Sequence, residues 1–290
     1  MITVLGSINM DLVTVTSRDP NLGETIMGDR FSTIPGGKGA NQAVAAAKLG
    51  SHVQMIGRVG SDLFGEEYME HFKKQGISTE YVEPVTGGTT GIASITVYEG
   101  DNKIIVVPGA NKYLTPEVVA EHEEVILNSD WLLLQLEIPP ESVEMALEIA
   151  YKGGVKVILN PAPFASLPKK WIKLATYLTP NEYEAAQLFN LYEHDAECFA
   201  LLKEKIVITK GSQGVMIYEG DQEVLIPTLK VEAVDSTGAG DTFNGALAVG
   251  LSEGMTLKEA CYFAARAAAL SVTKFGAQSG MPNRADLETN

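Results

Sequence analysis

The chain has 290 residues, 45% of them hydrophobic and 20% charged, with a formal net charge of −15. That balance supports a large globular core and argues against nucleic acid and anionic membrane as partners, because both select clustered Lys and Arg. No apolar run approaches the roughly 20 residues of a spanning helix, no basic leader precedes Ile2, so no signal peptide is expected, and two cysteines fit a reducing cytoplasm better than a disulfide framework.

In chain order, Ile2–Ile8 reads as a buried strand. Asn9 and Asp11 follow it, on one side by period-two alternation. Asp11–Ile34 alternates polar and apolar residues and reads as two-sided antiparallel strands. Pro35-Gly36-Gly37-Lys38-Gly39 breaks the pattern, and Ala40–Leu49 is an Ala-rich helix stopped by Gly50. Val53–Val59 is predicted as strand and Phe64–Gln75 as helix. Ile92–Tyr98 and Lys103–Val107 flank the hairpin signal Glu99-Gly100-Asp101-Asn102. Strand and helix then alternate: Trp131–Leu136, Pro140–Tyr151, Val155–Leu159, Glu182–Leu191, Ile206–Thr209. A second hairpin is Val215–Tyr218 with Val224–Ile226. Thr242–Leu251 is helix, and Thr256-Leu257-Lys258-Glu259 is a capping box opening a last helix to about Thr273. Alternating units imply a doubly wound, mostly parallel α/β sheet covered on both faces, with ligands at the carboxyl ends of the strands. The early alternating segments do not fit that layer and are assigned to a small lid sheet.

The chemistry concentrates in Asp235-Ser236-Thr237-Gly238-Ala239-Gly240-Asp241. Gly238, Ala239 and Gly240 permit a tight turn, and the helix starting near Asp241 aims its unpaired N–H groups and positive dipole end at that turn. This is an anion site with a carboxylate beside it. Such a carboxylate serves to take a proton from a group attacking the anion, which is phosphoryl transfer to a hydroxyl; helix capping is the simpler alternative. Gly36-Gly37-Lys38-Gly39-Ala40-Asn41 is a second glycine turn before a helix, without Walker spacing. Its alternative is an ordinary surface turn. Asn9, Asp11 and Glu137, all at strand ends, suit a polyhydroxyl ligand or serve as turn residues. Thr209-Lys210-Gly211-Ser212-Gln213-Gly214 resembles a nucleotide-cradling loop, and Glu184 suits a water-mediated Mg²⁺ contact or a cap.

Together these stretches resemble the ribokinase-like family of carbohydrate kinases, from Ile2 to about Pro282. Gly36–Ala43 and Asp235–Ala246 are similar to its two signatures. Gly6–Asp11, Gln135–Glu137, Asn160–Pro163, Thr179–Glu182 and Gly276–Gln278 are similar to its ribose-phosphorylating branch. The resemblance implies a single kinase domain over 1–290, with lid segments at about 11–34 and 89–108 and a lid-mediated homodimer. It implies ATP-dependent phosphorylation of ribose in the cytoplasm, with Mg²⁺ and activating K⁺. It implies that Asn9, Asp11, Gly37, Lys38, Gly39, Ala40, Asn41 and Glu137 bind the sugar. Asn181, Thr209 through Gly214 and Gly240 match ATP positions, and Asp241 the catalytic base beside Gly238, Ala239 and Gly240. Asp235, Thr237, Ser271, Lys274, Gly276 and Gly280 match a monovalent cation site. Two departures are Ala265, where relatives often carry Asn or His near adenine, and Gly280, where some carry Ser. The stretch Leu191–Lys205 looks shorter than in longer relatives. Alternative readings are a kinase for deoxyribose, another furanose or a nucleoside, and a sugar sensor without turnover; a nicotinamide oxidoreductase lacks its glycine fingerprint.

Overall fold

Strand β1 (Ile2–Leu5) is buried at every position in the computed structural model, which describes residues 1–99 and 101–288. The chain continues through β2 (Asn9–Val15), β3 (Arg30–Gly36), α1 (Lys38–Lys48), β4 (Val53–Gly60), α2 (Leu63–Lys74), β5 (Ser78–Val85), β6 (Gly91–Tyr98) and β7 (Asp101–Val107). Next come α3 (Pro116–Glu121), α4 (Glu123–Leu127), β8 (Trp131–Leu134), α5 (Pro140–Gly153), β9 (Lys156–Leu159), α6 (Lys169–Leu174) and β10 (Tyr177–Leu178). The last third holds α7 (Glu182–Leu191), α8 (Ala196–Lys205), β11 (Val207–Thr209), β12 (Val215–Glu219), β13 (Gln222–Ile226), α9 (Ala239–Ser252), α10 (Leu257–Ser271) and α11 (Arg284–Glu288).

The main sheet runs β10-β9-β8-β1-β4-β5, all parallel. Parallel bridges from Leu178 to Ile206 and from Asn181 to Thr209 join it to the antiparallel strands β11, β12 and β13. Period-two alternation divides its apolar side chains between two layers. Ile2, Val4 and Leu133 pack with α1, α2, α9 and α10 on one face. Leu5, Leu132 and Leu134 pack with α5, α6 and α8 on the other. This is the doubly wound α/β arrangement anticipated from the βα alternation. Among the described residues no helix is long and apolar enough to cross a membrane, and Cys198 and Cys261 are free and buried.

A second sheet of four strands, β3-β2-β6-β7, stands apart from the first. The antiparallel reading of Asp11–Ile34 holds for β2 and β3, but a parallel partner of β2 was not anticipated. β2 pairs antiparallel with β3 but parallel with β6. A parallel neighbour needs a long crossover, here everything from β3 to β5, so local alternation carries no sign of it. Strand β5 was not anticipated, nor were α3, α4, α6 and α8. β5 is the edge strand of the main sheet, and its Glu80, Glu83 and Pro84 are edge residues that mask a strand pattern. The helix after the glycine turn starts at Ala239, two residues earlier than read from sequence. Of the predicted hairpin tip, Gly100 lies outside the described residues.

Candidate active site

The residues expected from the sequence to bind sugar converge where β1 and β8 end. Gly37, at φ 88°, is the N-cap of α1, and a Cβ there would stand 2.6 Å from the Asn9 nitrogen. α1 therefore begins hard against the segment after β1, with the Ala40 N–H donating to the Ser7 carbonyl at 2.9 Å. Glu137, just past β8, is held through Oε2: Ser7 Oγ donates at 2.5 Å, the Lys38 N–H at 3.1 Å and Asn9 Nδ2 at 3.5 Å. Asn9 Oδ1 in turn accepts from Asn111 Nδ2 at 2.7 Å. Asn111 also takes the Ile8 N–H at 2.9 Å and donates to the carbonyls of Ile8 and Pro108. It is a buried staple between the two sheets that the sequence reading missed.

Asp241 lies in the first turn of α9 but does not cap it. The cap is Gly238, at φ 76°, with no side-chain contribution. The carboxylate instead accepts from Asn41 Nδ2 at 2.9 Å and Gln42 Nε2 at 3.2 Å, both on α1. It is 7% exposed. Burial raises its pKa above the ordinary value; the Lys38 charge and the two amides pull it back, and Glu137 pushes it up again. Simple capping is thereby removed as the reason for this acid. Asp11 is pushed up to about 7 by burial first, then by Glu137 and Asp241, with Lys38 opposing. Burial works against the Lys38 ammonium, yet the combined fields of Asp241, Glu137, Glu184 and Asp11 hold its pKa above the usual lysine value. One cation thus sits among four carboxylates. The Gly238 backbone lies against Ala277, while a Cβ on Gly240 would meet no protein atom within 4 Å. That leaves an open cradle over a helix N-terminus, the geometry an anionic ligand needs.

The proposed nucleotide residues also meet. Asn181 pairs with Thr209 across the bridge that joins the two parts of the sheet. Thr209 through Gly214 form a short turn closed by the Lys210 N–H on the Gly214 carbonyl at 2.8 Å, and Lys210 faces Glu182 at 3.7 Å. Asn181 Oδ1 is committed to the cap of α7, accepting the Tyr183 and Glu184 N–H groups at 3.0 Å each, which leaves its Nδ2 to reach outward. Glu184 returns Oε2 to the Asn181 N–H at 2.8 Å, so it is a capping residue whose charge also reaches Lys38. Asp235 ties the α9 turn to the 271–280 turn, accepting the Thr237 and Gly276 N–H groups at 2.9 Å each. Gly280 packs on the Ser271 carbonyl, 1.9 Å from any added Cβ, so the Ser of some relatives does not fit this backbone. Asp235, Thr237, Ser271, Gly276 and Gly280 are thus brought together, with Lys274 in the same turn. Their peptide carbonyls and one carboxylate are hard oxygen donors of the kind an alkali cation takes. Among the described residues no group of three or more His, Cys, Asp or Glu is placed to hold a metal ion. Ala265 is buried in the apolar layer, and its carbonyl accepts from Thr228 Oγ1 at 2.7 Å.

Sequence reasoning assigned no individual role to Gln42, Gln135, Asn160 or Gln278, although each belongs to the polar network around Asp241. Amides carry no spacing rule, so proximity to a glycine turn or a strand end was the available signal.

The chain matches the model of the pfkB family of carbohydrate kinases over residues 1–284. It is 50% identical over 287 residues to the ribokinase of Bacillus subtilis, covering 99% of this chain and 98% of the relative. It is 38% identical to the deoxyribokinase of Salmonella typhi, covering 97% and 95%. Its structure resembles that of Arabidopsis thaliana ribokinase complexed with ribose and ATP, with a TM-score of 0.91 and 33% identity, covering 99% and 97%. Buried acid, glycine-capped helix, fold and whole-length similarity agree, and the chain belongs to the pfkB family of carbohydrate kinases.

Proposed function

We propose that the protein transfers the γ-phosphoryl group of ATP to the 5-hydroxyl of D-ribose, giving ribose 5-phosphate and ADP. The carrying observation is the Asp241 carboxylate, buried, aimed by Asn41 and Gln42, and set in the first turn of a helix whose N-terminal cradle is open. Ribose lies against Asn9, Asp11, Gly37 through Asn41 and Glu137. Asn181, Thr209 through Gly214 and Gly240 receive ATP. Asp241 takes the proton of the 5-hydroxyl as its oxygen attacks phosphorus, and the ADP oxygen leaves on the opposite side. The α9 N–H groups and Lys38 balance the charge developing on the transferred group, so positioning and electrostatics carry the reaction. Mg²⁺, when bound, would neutralise phosphate charge, and Glu184, beside the nucleotide turn, is the residue that would hold it through water. The 235–237 and 271–280 turns, tied together by Asp235, would hold a monovalent cation that braces the α9 turn. The β3-β2-β6-β7 sheet acts as a lid over the sugar and, through its exposed β7 edge, as the contact of a homodimer in the cytoplasm.

Similarity to the deoxyribokinase keeps deoxyribose as a second reading. A coupled assay of ADP release with ribose, 2-deoxyribose, fructose and adenosine separates them. A site that hydrogen-bonds the 2-hydroxyl leaves buried polar groups unpaired when that hydroxyl is missing. Ribose is therefore expected to exceed 2-deoxyribose in kcat/KM, and equal values would show the sugar assignment to be wrong.

A further inference from the structure

The amide groups around Asp241 have an enforced direction. An ionised carboxylate only accepts hydrogen bonds, so Asn41 and Gln42 must each present an NH₂ to it. Nothing in an amide's shape prevents it from turning over and presenting its carbonyl instead. In this molecule Asn41 is held by a further glutamine, and Gln42 by a glutamine together with Asn160, whose Oδ1 accepts from Gln42 Nε2 at 3.3 Å. Gln278 Nε2 donates to Asn41 Oδ1 at 2.8 Å, and Gln135 Nε2 donates to Gln42 Oε1 at 2.7 Å. Gln278 is itself fixed: its Oε1 lies 2.6 Å from His71 Nε2, and its Nε2 also reaches Tyr68 Oη at 3.2 Å. The Tyr68 hydroxyl is spent on the Gly36 carbonyl, so it accepts from Gln278. Gln135 holds its position at a cost, because its buried Oε1 has no partner and sits against Gly6, where a Cβ would meet it at 2.0 Å.

We propose that Gln278 and Gln135 are positioning residues for phosphoryl transfer: they set the amide direction of Asn41 and Gln42, so that both oxygens of Asp241 receive an N–H. The inference rests on Asp241 as the base. His71, at the outer end, carries the proton on Nε2 whether neutral or charged, so the chain of donors runs inward from α2 to the carboxylate. Hydrogen bonds to the charged form keep a buried acid ionised. Without them Asp241 holds its proton to higher pH and turnover disappears from the acid side first.

The test is the pH profile of kcat for Gln278→Met and Gln135→Met, which keep side-chain length and remove the amide. Lys38, Glu137 and Asp11, the charged groups that face Asp241, remain in place. Each variant is expected to raise the acid limb of kcat by about one pH unit, the scale of one charge-assisted hydrogen bond, with the KM for ATP unchanged. A merely structural role lowers kcat equally at all pH values and leaves the limb where it was. Should Gln278→Met not fold, Gln278→Leu, which also cannot donate to Asn41 and adds no charge, is expected to shift the limb in the same direction. Unshifted limbs in the folded variants overturn the proposal. Asp241→Asn, run alongside, separates the two failures: if it retains turnover the base assignment falls, and if it loses turnover while the glutamine variants behave as wild type, only the positioning role falls.

Discussion

Asn41 Nδ2 donates to Asp241 Oδ2 at 2.9 Å, joining the first turn of α1 to the first turn of α9. Two helices that both begin in glycine turns are thereby locked start to start. The Gly37 turn and the Gly238 turn become one object, and the acid stands at their junction.

Asp241→Asn keeps the volume of the side chain and removes the proton acceptor. General-base catalysis contributes about 10²–10⁴-fold, and kcat is expected to fall at least that far. Ribose affinity falls much less, and the melting temperature falls only modestly, since Gly238 still caps the helix while the new amide's NH₂ meets one of the two NH₂ groups that Asn41 and Gln42 present. Measuring kcat, ribose affinity and Tm on one preparation decides it; wild-type kcat would revive the sensor reading.

Asp11 gives a pH dependence of stability. Its pKa rises from 3.8 to about 7 on folding, so the folded chain binds the extra proton between those values. The stabilisation is complete below the unfolded pKa and is lost as pH climbs to 7. Urea midpoints of the ligand-free protein are expected to decline from pH 5 to pH 8, and Asp11→Asn to flatten that decline. An equally steep decline in the variant would assign the effect to another group.

The cation site proposed above predicts a response to salt identity. Replacing a bulky organic cation by K⁺ at constant ionic strength is expected to raise kcat, because Asp235 already braces the α9 turn against the Gly276 turn and an ion there would stiffen both. Asp235→Ala is expected to abolish the response. A flat response in the wild type would remove the site, and the Gly280 backbone, which excludes a serine hydroxyl, is the reason it is worth measuring.

The edge strand β7 is exposed along its whole length, with Ile104 at 52% and Ile105 at 69%. Such an edge invites a partner. Ile105→Lys is expected to halve the apparent mass in sedimentation if the lid carries a dimer. An unchanged mass from a multimeric wild type would place the contact elsewhere.

The legible parts of this molecule were local ones. The glycine turns before α1 and α9 and the capping box at Thr256 announce themselves in consecutive residues, and each is followed by its expected helix, with α1 and α9 starting two or three residues earlier than read. The illegible parts are pairings between distant segments. Asn111 reaches Asn9 across 102 residues and Gln278 reaches Asn41 across 237, and the β2–β6 pairing spans five intervening elements. An edge strand such as β5 hides for a different reason, because charge protects it from strangers and also disguises it from pattern reading. Asp241 was visible as an acid at a helix start; that its carboxylate turns away from the helix and toward two amides was not.

The second sheet is rooted at the site. Asn9 opens β2, and it is paired with Gly36 at the end of β3 and with Gly91 at the start of β6. The far ends, Val15, Arg30 and Val97, are six residues along, roughly 20 Å away at the usual rise of a strand. On the proposed reading, the root of the sheet lies beside the sugar and its tip far from it. A tilt of about 10° at that root carries the tip about 4 Å over such a length. If the sheet closes as a lid on sugar binding, a fluorophore at the tip, remote from any chemistry, is expected to report it with a larger displacement than one placed in the site itself.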